Sequence, residues 1–222
     1  MSNTHDPESS ALSVTSIPEG QMVELIFGRH GCLVAEALKL SNPHRLYLKV
    51  PGTKLELVNG PGDVDALLVA KGDCSRSVAI ECKRIKFQKE AVVEVNGKPN
   101  KLGEIEKAVA QANQLAAGGF HRAFLFLIVQ VDARDQPRFN PLAAGLPYRK
   151  AAAVWEHPAL EKLQKSVGLI VLEITQSLDE GIECSGGIGI PFEKNAIERD
   201  QPSALTLALN LWITESSQQT AG

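Results

Sequence analysis

"GDVDALLVAKGDCSRSVAIECKRIKF", residues 62–87, holds two apolar runs, 64–70 and 78–85, on either side of the turn-forming "KGDCSR". The pattern reads as a β-hairpin. Side chains alternate along a strand, so Val78, Ile80 and Cys82 face one way while Ala79, Glu81 and Lys83 face the other. Asp63 and Asp65 share a face of the first strand, and pairing across the hairpin carries that face beside Glu81. Burying a charge is costly unless it is paired or bound to a metal. An Asp and a Glu so placed, Asp65 and Glu81, can hold a hard divalent ion through oxygen, with the backbone carbonyl of Cys82 as a further ligand and the Lys83 ammonium about one pleat away. Such a set suits phosphodiester hydrolysis. A metal on the two carboxylates would acidify a bound water and neutralise phosphoryl charge, while Lys83 would orient or deprotonate the water or stabilise the phosphoryl oxygens.

Outward from the hairpin, the pattern is that of an α/β protein. Pro18 suits a first helical turn, and Val23, Ile26, Phe27, Leu33, Val34, Ala37 and Leu38 form a helical stripe that Asn42-Pro43 ends. "RLYLKV" and "TKLELV" alternate like the strands of a hairpin about Pro51-Gly52. After a lysine-rich connection, "GEIEKAVAQANQLAAGG" predicts a helix ending at Gly118-Gly119, with a stripe of Ile105, Ala108, Val109, Ala112, Leu115 and Ala116. "AFLFLIVQV" is a strand covered on both faces. A loop to about 150, a helix around "HPALEKLQKS" and a strand "GLIVLEIT" follow, the two strands forming a crossover unit. "CSGGIGIP" (184–191) reads as a turn within strands, and "ALTLALNLWIT" as a half-buried strand over Leu205, Leu207, Leu209, Leu211 and Ile213. The expected fold is a three-layer α/β sandwich with a mixed central sheet flanked by helices.

The 222 residues suffice for one core, so a single domain is expected over 16–214, with flexible tails at 1–15 and 215–222. At 44% hydrophobic and 22% charged residues the composition is that of an ordinary globular protein, and a net charge of −3 gives no overall pull toward a polyanion. Any nucleic-acid site must therefore be local. No secretory signal pattern and no membrane-length apolar run is visible, and Cys32, Cys74, Cys82 and Cys184 have no zinc or disulfide spacing. These features point to the cytoplasm and to no membrane association. His5, His30, His44, His121 and His157 lack metal-ligand spacing, and neither "GRHG" (28–31) nor "CSGGIGIP" has the lysine and hydroxyl residue of a phosphate-binding loop.

The bipartite "GDVD…IECK" arrangement resembles the signature of the PD-(D/E)xK nuclease superfamily: an Asp at the start of one strand, a break, then an apolar strand ending in (D/E)-x-K. Asp65 matches the motif Asp, with Asp63 in "PGD" the alternative, and Glu81 and Lys83 match the (D/E)-x-K pair. The order of elements resembles that family's αβββαβ core over residues 20–132, here followed by C-terminal strands. The resemblance also implies a metal-supporting Glu on the first core helix, for which Glu36 is the candidate. It implies as well a substrate-positioning Gln on the helix after the motif strand, for which Gln111 fits and Gln114 fits less well; the tyrosine that often follows is Leu115 here. The function it implies is a Mg2+-dependent nuclease, with Mn2+ a possible substitute, acting on DNA in preference to RNA and targeted by a partner protein or by homodimerisation.

Arg84, Lys86, Lys89, Lys98 and Lys101 would give the region a basic surface for the phosphate backbone, and Arg134, Arg138 and Arg149 could line a groove. Two other readings compete: a nuclease-like subunit that binds nucleic acid or protein without cutting, and an interaction module docking through its C-terminal strands. In the latter, Glu81 and Lys83 are merely a surface ion pair of little worth.

Overall fold

The apolar strand runs assemble into one six-stranded mixed sheet in the computed structural model, which describes residues 12–40, 43–55, 62–94, 97–134, 148–179 and 182–219. In chain order the elements are α1 (Glu19–Arg29), α2 (Gly31–Ala37), β1 (His44–Pro51), β2 (Asp63–Ala70), β3 (Asp73–Phe87), α3 (Lys89–Val93), α4 (Ile105–Ala117), β4 (Arg122–Asp132), α5 (Tyr148–Trp155), β5 (Gly168–Asp179), β6 (Ile182–Lys194) and α6 (Ser203–Gln219). The strands lie in sequence order. β1, β2 and β3 pair antiparallel, β3, β4 and β5 parallel, and β5 and β6 antiparallel. Helices cover both faces, giving the expected three-layer α/β sandwich.

Alternation along the strands makes two cores. Ala66, Leu68, Val78, Ile80, Cys82, Phe124 and Phe126 pack under α1 and α2. Leu67, Val69, Ala79, Ile85, Phe87, Leu125 and Leu127 pack on the other face with α4, α5 and α6. β4 is buried along its whole length, as its unbroken apolar run predicts. α4 stops where expected: Gly119 adopts φ +91°, and a Cβ there would lie 2.9 Å from Pro202.

The chain departs from the sequence reading at several places. The first helix is two, broken at His30 between Gly28 and Gly31, where two residues of poor helix propensity weaken the ladder. The partner of β1 is β2, not a strand at "TKLELV": Gly52–Leu55 is a 3-10 turn, and 56–61 lie outside the described residues. The helix read around residue 160 is a 3-10 turn, Pro158–Lys162, and the α-helix of this crossover is α5, which starts where a loop was expected to end. "CSGGIGIP" is no turn but part of β6.

The largest departure is α6, read as a strand. Leucines at every second position satisfy an i, i+4 stripe as well as an alternating one. Only one of the two stripes is used: Leu205 and Leu209 are buried, whereas Leu207 and Leu211 are 61% and 58% exposed. The helix also runs through 215–219, assigned above to a tail. Leu209→Ala is therefore expected to lower stability by about 2–5 kcal/mol, and Leu207→Ala by less than about 0.5 kcal/mol. Urea midpoints of the two variants check this, since a strand would bury both leucines alike.

Candidate active site

β2 and β3 pair in register from Val69 to Ala66, which lies opposite Ile80, and then part. Beyond that point the β2-facing N–H groups of β3 lack a strand carbonyl, and a buried N–H needs a partner. Carboxylates supply it. Cys82 N–H donates to Asp65 Oδ2 at 2.8 Å, and Arg84 N–H, two residues on along the same edge, donates to Glu19 Oε2 at 2.8 Å. The parting of the hairpin thus gathers two acids next to Glu81 and Lys83. In β1, between Leu48 opposite Ala66 and Val50 opposite Val64, stands Lys49 with a φ of +52°. Such strain in a residue with a side chain persists only where its surroundings enforce it. A cavity of about 240 Å3 opens here, lined by Glu19, Gly20, Lys49, Asp63 and Asp65 among others.

Glu81 and Lys83 project on the α4 side, as alternation requires. Glu81 is 4% exposed, so it is no member of a surface ion pair. Burial, then the charge of Asp65, pushes its carboxyl up to about 8, against a smaller opposing pull from Lys83. Asp65 is likewise raised, by burial first, with the Cys82 N–H pulling the other way and the charge of Glu19 adding to the rise. Burial penalises the Lys83 ammonium, but its hydrogen bond to Glu104 and the charges of Glu19, Glu104 and Glu81 outweigh it, and its pKa ends above the ordinary value. Lys83 Nζ lies 2.9 Å from Glu104 Oε2 and 3.9 Å from Glu19 Oε1. An ammonium held charged in this way is suited to orienting and stabilising an anion rather than to taking up a proton.

Among the described residues no group of three or more His, Cys, Asp or Glu side chains is gathered closely enough to cage a metal unaided. Mg2+ asks for less, one or two carboxylates completed by water and phosphate oxygens. Asp65 and Glu81 fit that demand: two partly desolvated carboxyls, both raised by burial and Glu81 further by the charge of Asp65, are what a divalent cation relieves. Cys82 can offer only its backbone carbonyl, because its thiol is buried in the α1–α2 core and burial pushes the thiol pKa far up.

The helix glutamate that the structure brings to these groups is Glu19, not Glu36. Glu36 is an exposed residue of α2, and the charges that act on Glu81 come from Asp65, Lys83, Glu19 and Lys107. Glu19 was overlooked although a signal was there: it stands four residues before Val23 and seven before Ile26, which extends the apolar stripe of α1 back by one turn. Its place is fixed by the preceding strap. Val14 N–H donates to Gln176 Oε1 at 2.7 Å, Ser13 Oγ to Asp132 Oδ2 at 2.5 Å, and the Arg84 guanidinium and Gln130 amide both donate to the Ile17 carbonyl. The strap shows that residues 13–15, expected within a flexible tail, are docked. Glu19→Gln is expected to slow any reaction at this site by about ten- to a hundredfold, with Glu36→Gln unchanged; paired turnover rates of the two variants decide it.

Glu104 at the N-cap of α4 and Lys107 and Gln111 within it follow one another at spacings of three and four and so share a face. Glu104 bonds Lys83 and Lys107 acts on Glu81, so Gln111, half-buried one turn on, sits on the face turned to the site. Gln114 is exposed. Of the expected basic residues, Arg84 is turned inward onto Ile17. Lys86 and Lys101 stay together: a bridge between Lys86 and Asn100 brings the returning chain against the end of β3, and the charges of Arg84 and Lys101 add to the burial that lowers Lys86. Lys89 begins α3 and Lys98 is exposed. Arg134 is bound to Asp132 at 2.8 Å, while Arg138 and the Arg149 side chain lie outside the described residues.

Comparison of the chain with protein-family models, with curated proteins and with solved structures returns no match. Among the described residues no helix is long and apolar enough to cross a membrane.

Proposed function

We propose that the protein is a Mg2+-dependent nuclease of the PD-(D/E)xK type, cutting DNA in preference to RNA. The observation that carries this reading is the convergence of Asp65, Glu81 and Lys83 where β2 and β3 part, with both carboxyls raised and the lysine held charged. Asp65, rather than Asp63, is the motif Asp in this proposal, because it is Asp65 that bonds the Cys82 amide and acts on Glu81. A divalent ion on the two carboxylates would supply an acidified water and neutralise charge on the scissile phosphate. Asp65, Glu81 and the Cys82 carbonyl hold it; Lys83 stabilises the charge that builds on the phosphoryl oxygens. Glu19 and Glu104 fix the ammonium, and Gln111 positions the substrate from α4.

The basic group at the end of β3, Lys86 with Lys101, and Lys89 beyond it, is assigned to the phosphate backbone. Contacts of that kind neutralise the strand without reading its sequence. Targeting would then come from a partner protein or a second copy. The test is incubation of the protein with linear, circular and single-stranded DNA and with RNA, in Mg2+, Mn2+ and EDTA. Metal-dependent cleavage is expected on at least one DNA. Retained DNA affinity without turnover in either metal would replace the reading by that of a binding subunit.

A further inference from the structure

A second cluster of charged groups lies at the other end and on the other face of the sheet. Arg122 begins β4 opposite Val78, and its guanidinium stands over the Phe124 ring, 5.0 Å from the centroid, on the α1–α2 side. Glu81 and Lys83 project on the α4 side, and Glu81 is three residues, about 10 Å, along β3 from Val78. Arg122 is only 6% exposed, and its Nε has no hydrogen-bond partner among the described residues. Burial holds the guanidinium below its ordinary pKa, with only the charge of Glu198 opposing. A buried cation left in that condition needs a counter-charge.

The space beside it is suited to one. Arg122 lines a cavity of about 50 Å3 together with Lys39, His44, Arg76, His121 and Glu198. A water needs roughly 10 to 15 Å3 of such space, so the cavity matches a few waters or one tetrahedral oxyanion and is too small for a nucleobase. The rim cations are loosely committed. Lys39 stands 3.6 Å from Glu193 and Arg76 3.7 Å from Asp73, both pairs open to solvent, and such pairs are worth little. His121 is oriented by its Nδ1–H, which donates to the Arg199 carbonyl at 2.7 Å. Glu198, the carboxylate of the lining, is 69% exposed and 3.9 Å from His121 Nε2. An apolar cavity of about 230 Å3 between α2 and β1 shares Leu40 and His44 with this one.

We propose that this cavity is a binding site for a phosphate-class oxyanion, with Arg122 at its floor and Lys39, Arg76 and the two imidazoles at its rim. The site is separate from the carboxylate site and does not depend on what that site does. Phosphate reaches it either as the free ion or as the head of an organic monophosphate whose apolar part enters the neighbouring cavity.

Calorimetric titration of the full chain in EDTA at fixed ionic strength, with inorganic phosphate and separately with adenosine 5′-monophosphate, tests this. Saturable binding at one site in about the millimolar range or tighter is expected, unchanged in Glu81→Gln. Arg122→Gln is expected to weaken it at least about tenfold. Because that variant removes a buried group and could misfold, the exposed pair Lys39→Ala and Arg76→Ala is read beside it, with a combined loss of about two- to fivefold or more. Equal affinity for both probes assigns the site to the free ion, and tighter binding of the nucleotide to the organic ester. The proposal is overturned if the wild type shows no saturation with either probe, if the folded variants bind like the wild type, or if Glu81→Gln abolishes binding.

Discussion

Asp65→Asn and Glu81→Gln are each expected to lower Mg2+-dependent DNA cleavage by about a thousandfold or more, measured as single-turnover rates on a substrate the wild type cuts. The reason is charge. Each substitution removes one of the two anionic oxygen donors and leaves the shape nearly unchanged, so the loss reports metal binding rather than folding. Lys83→Ala is expected to cost about a hundred- to a thousandfold, and Lys83→Arg less, because the guanidinium keeps the positive charge that Glu19 and Glu104 hold in place. The pattern matters as much as the size. If Lys83 were the base, the rate would rise with pH as the ammonium titrated and the arginine variant would be as dead as the alanine. The raised pKa of Lys83 argues the opposite. Calorimetry completes the assignment: Mg2+ binding should vanish in the Asp65→Asn, Glu81→Gln double variant together with cleavage. Full activity in Glu81→Gln and Lys83→Ala, in a preparation free of other nucleases, would sink the catalytic assignment.

The centre of this arrangement was legible because it is written locally. A hairpin brings its own two strands together, so alternation alone put Glu81 and Lys83 on one face. The antiparallel register then set Asp65 beside Glu81. The uniform apolar run of β4 and the glycines after α4 were equally direct. What failed did so where one pattern serves two structures or where the decisive contact is remote. The leucines of α6 obey both periods, and only the packing of Leu209 against the opposite core chooses between them. Glu36 was the candidate because it flanks the apolar stripe of the first helix, and Glu19 was overlooked. The contact that singles out Glu19 is an amide 65 residues away, and it exists only because β2 and β3 part. Lys49 carries no sequence mark of its left-handed backbone, since lysine is not a residue chosen for that conformation. Arg84 looked like a nucleic-acid contact by composition, but the strap at Ile17 claims it.

The same buried carboxyl makes a second large effect measurable without any substrate. Glu81 is pushed up to about 8 in the folded chain from an ordinary 4.5, and Asp65 is raised in the same sense. Below pH 4.5 both the folded and the unfolded chain carry the Glu81 proton, so this group does not distinguish them. As pH rises from there toward 8 the unfolded chain gives up its proton first, the folded chain retains it, and stability falls. Above about 8 both states are ionised and the loss is complete. The metal-free wild type should therefore lose thermal stability across this window, and Glu81→Gln, in which only the raised Asp65 remains, should lose less. At pH 8.5 the variant is expected to melt higher than the wild type by roughly 10 °C, with the two converging near pH 5. Mg2+ should reverse the order, because it binds the ionised carboxylates: the wild-type Tm rises on adding the ion, more at pH 8.5 than at pH 6, and the variant's does not. Melting curves in EDTA and in Mg2+ at the three pH values supply the comparison. Parallel pH profiles for the two proteins would mean that Glu81 is ionised without cost in the fold, and the electrostatic case for a cation at this hairpin would go with it.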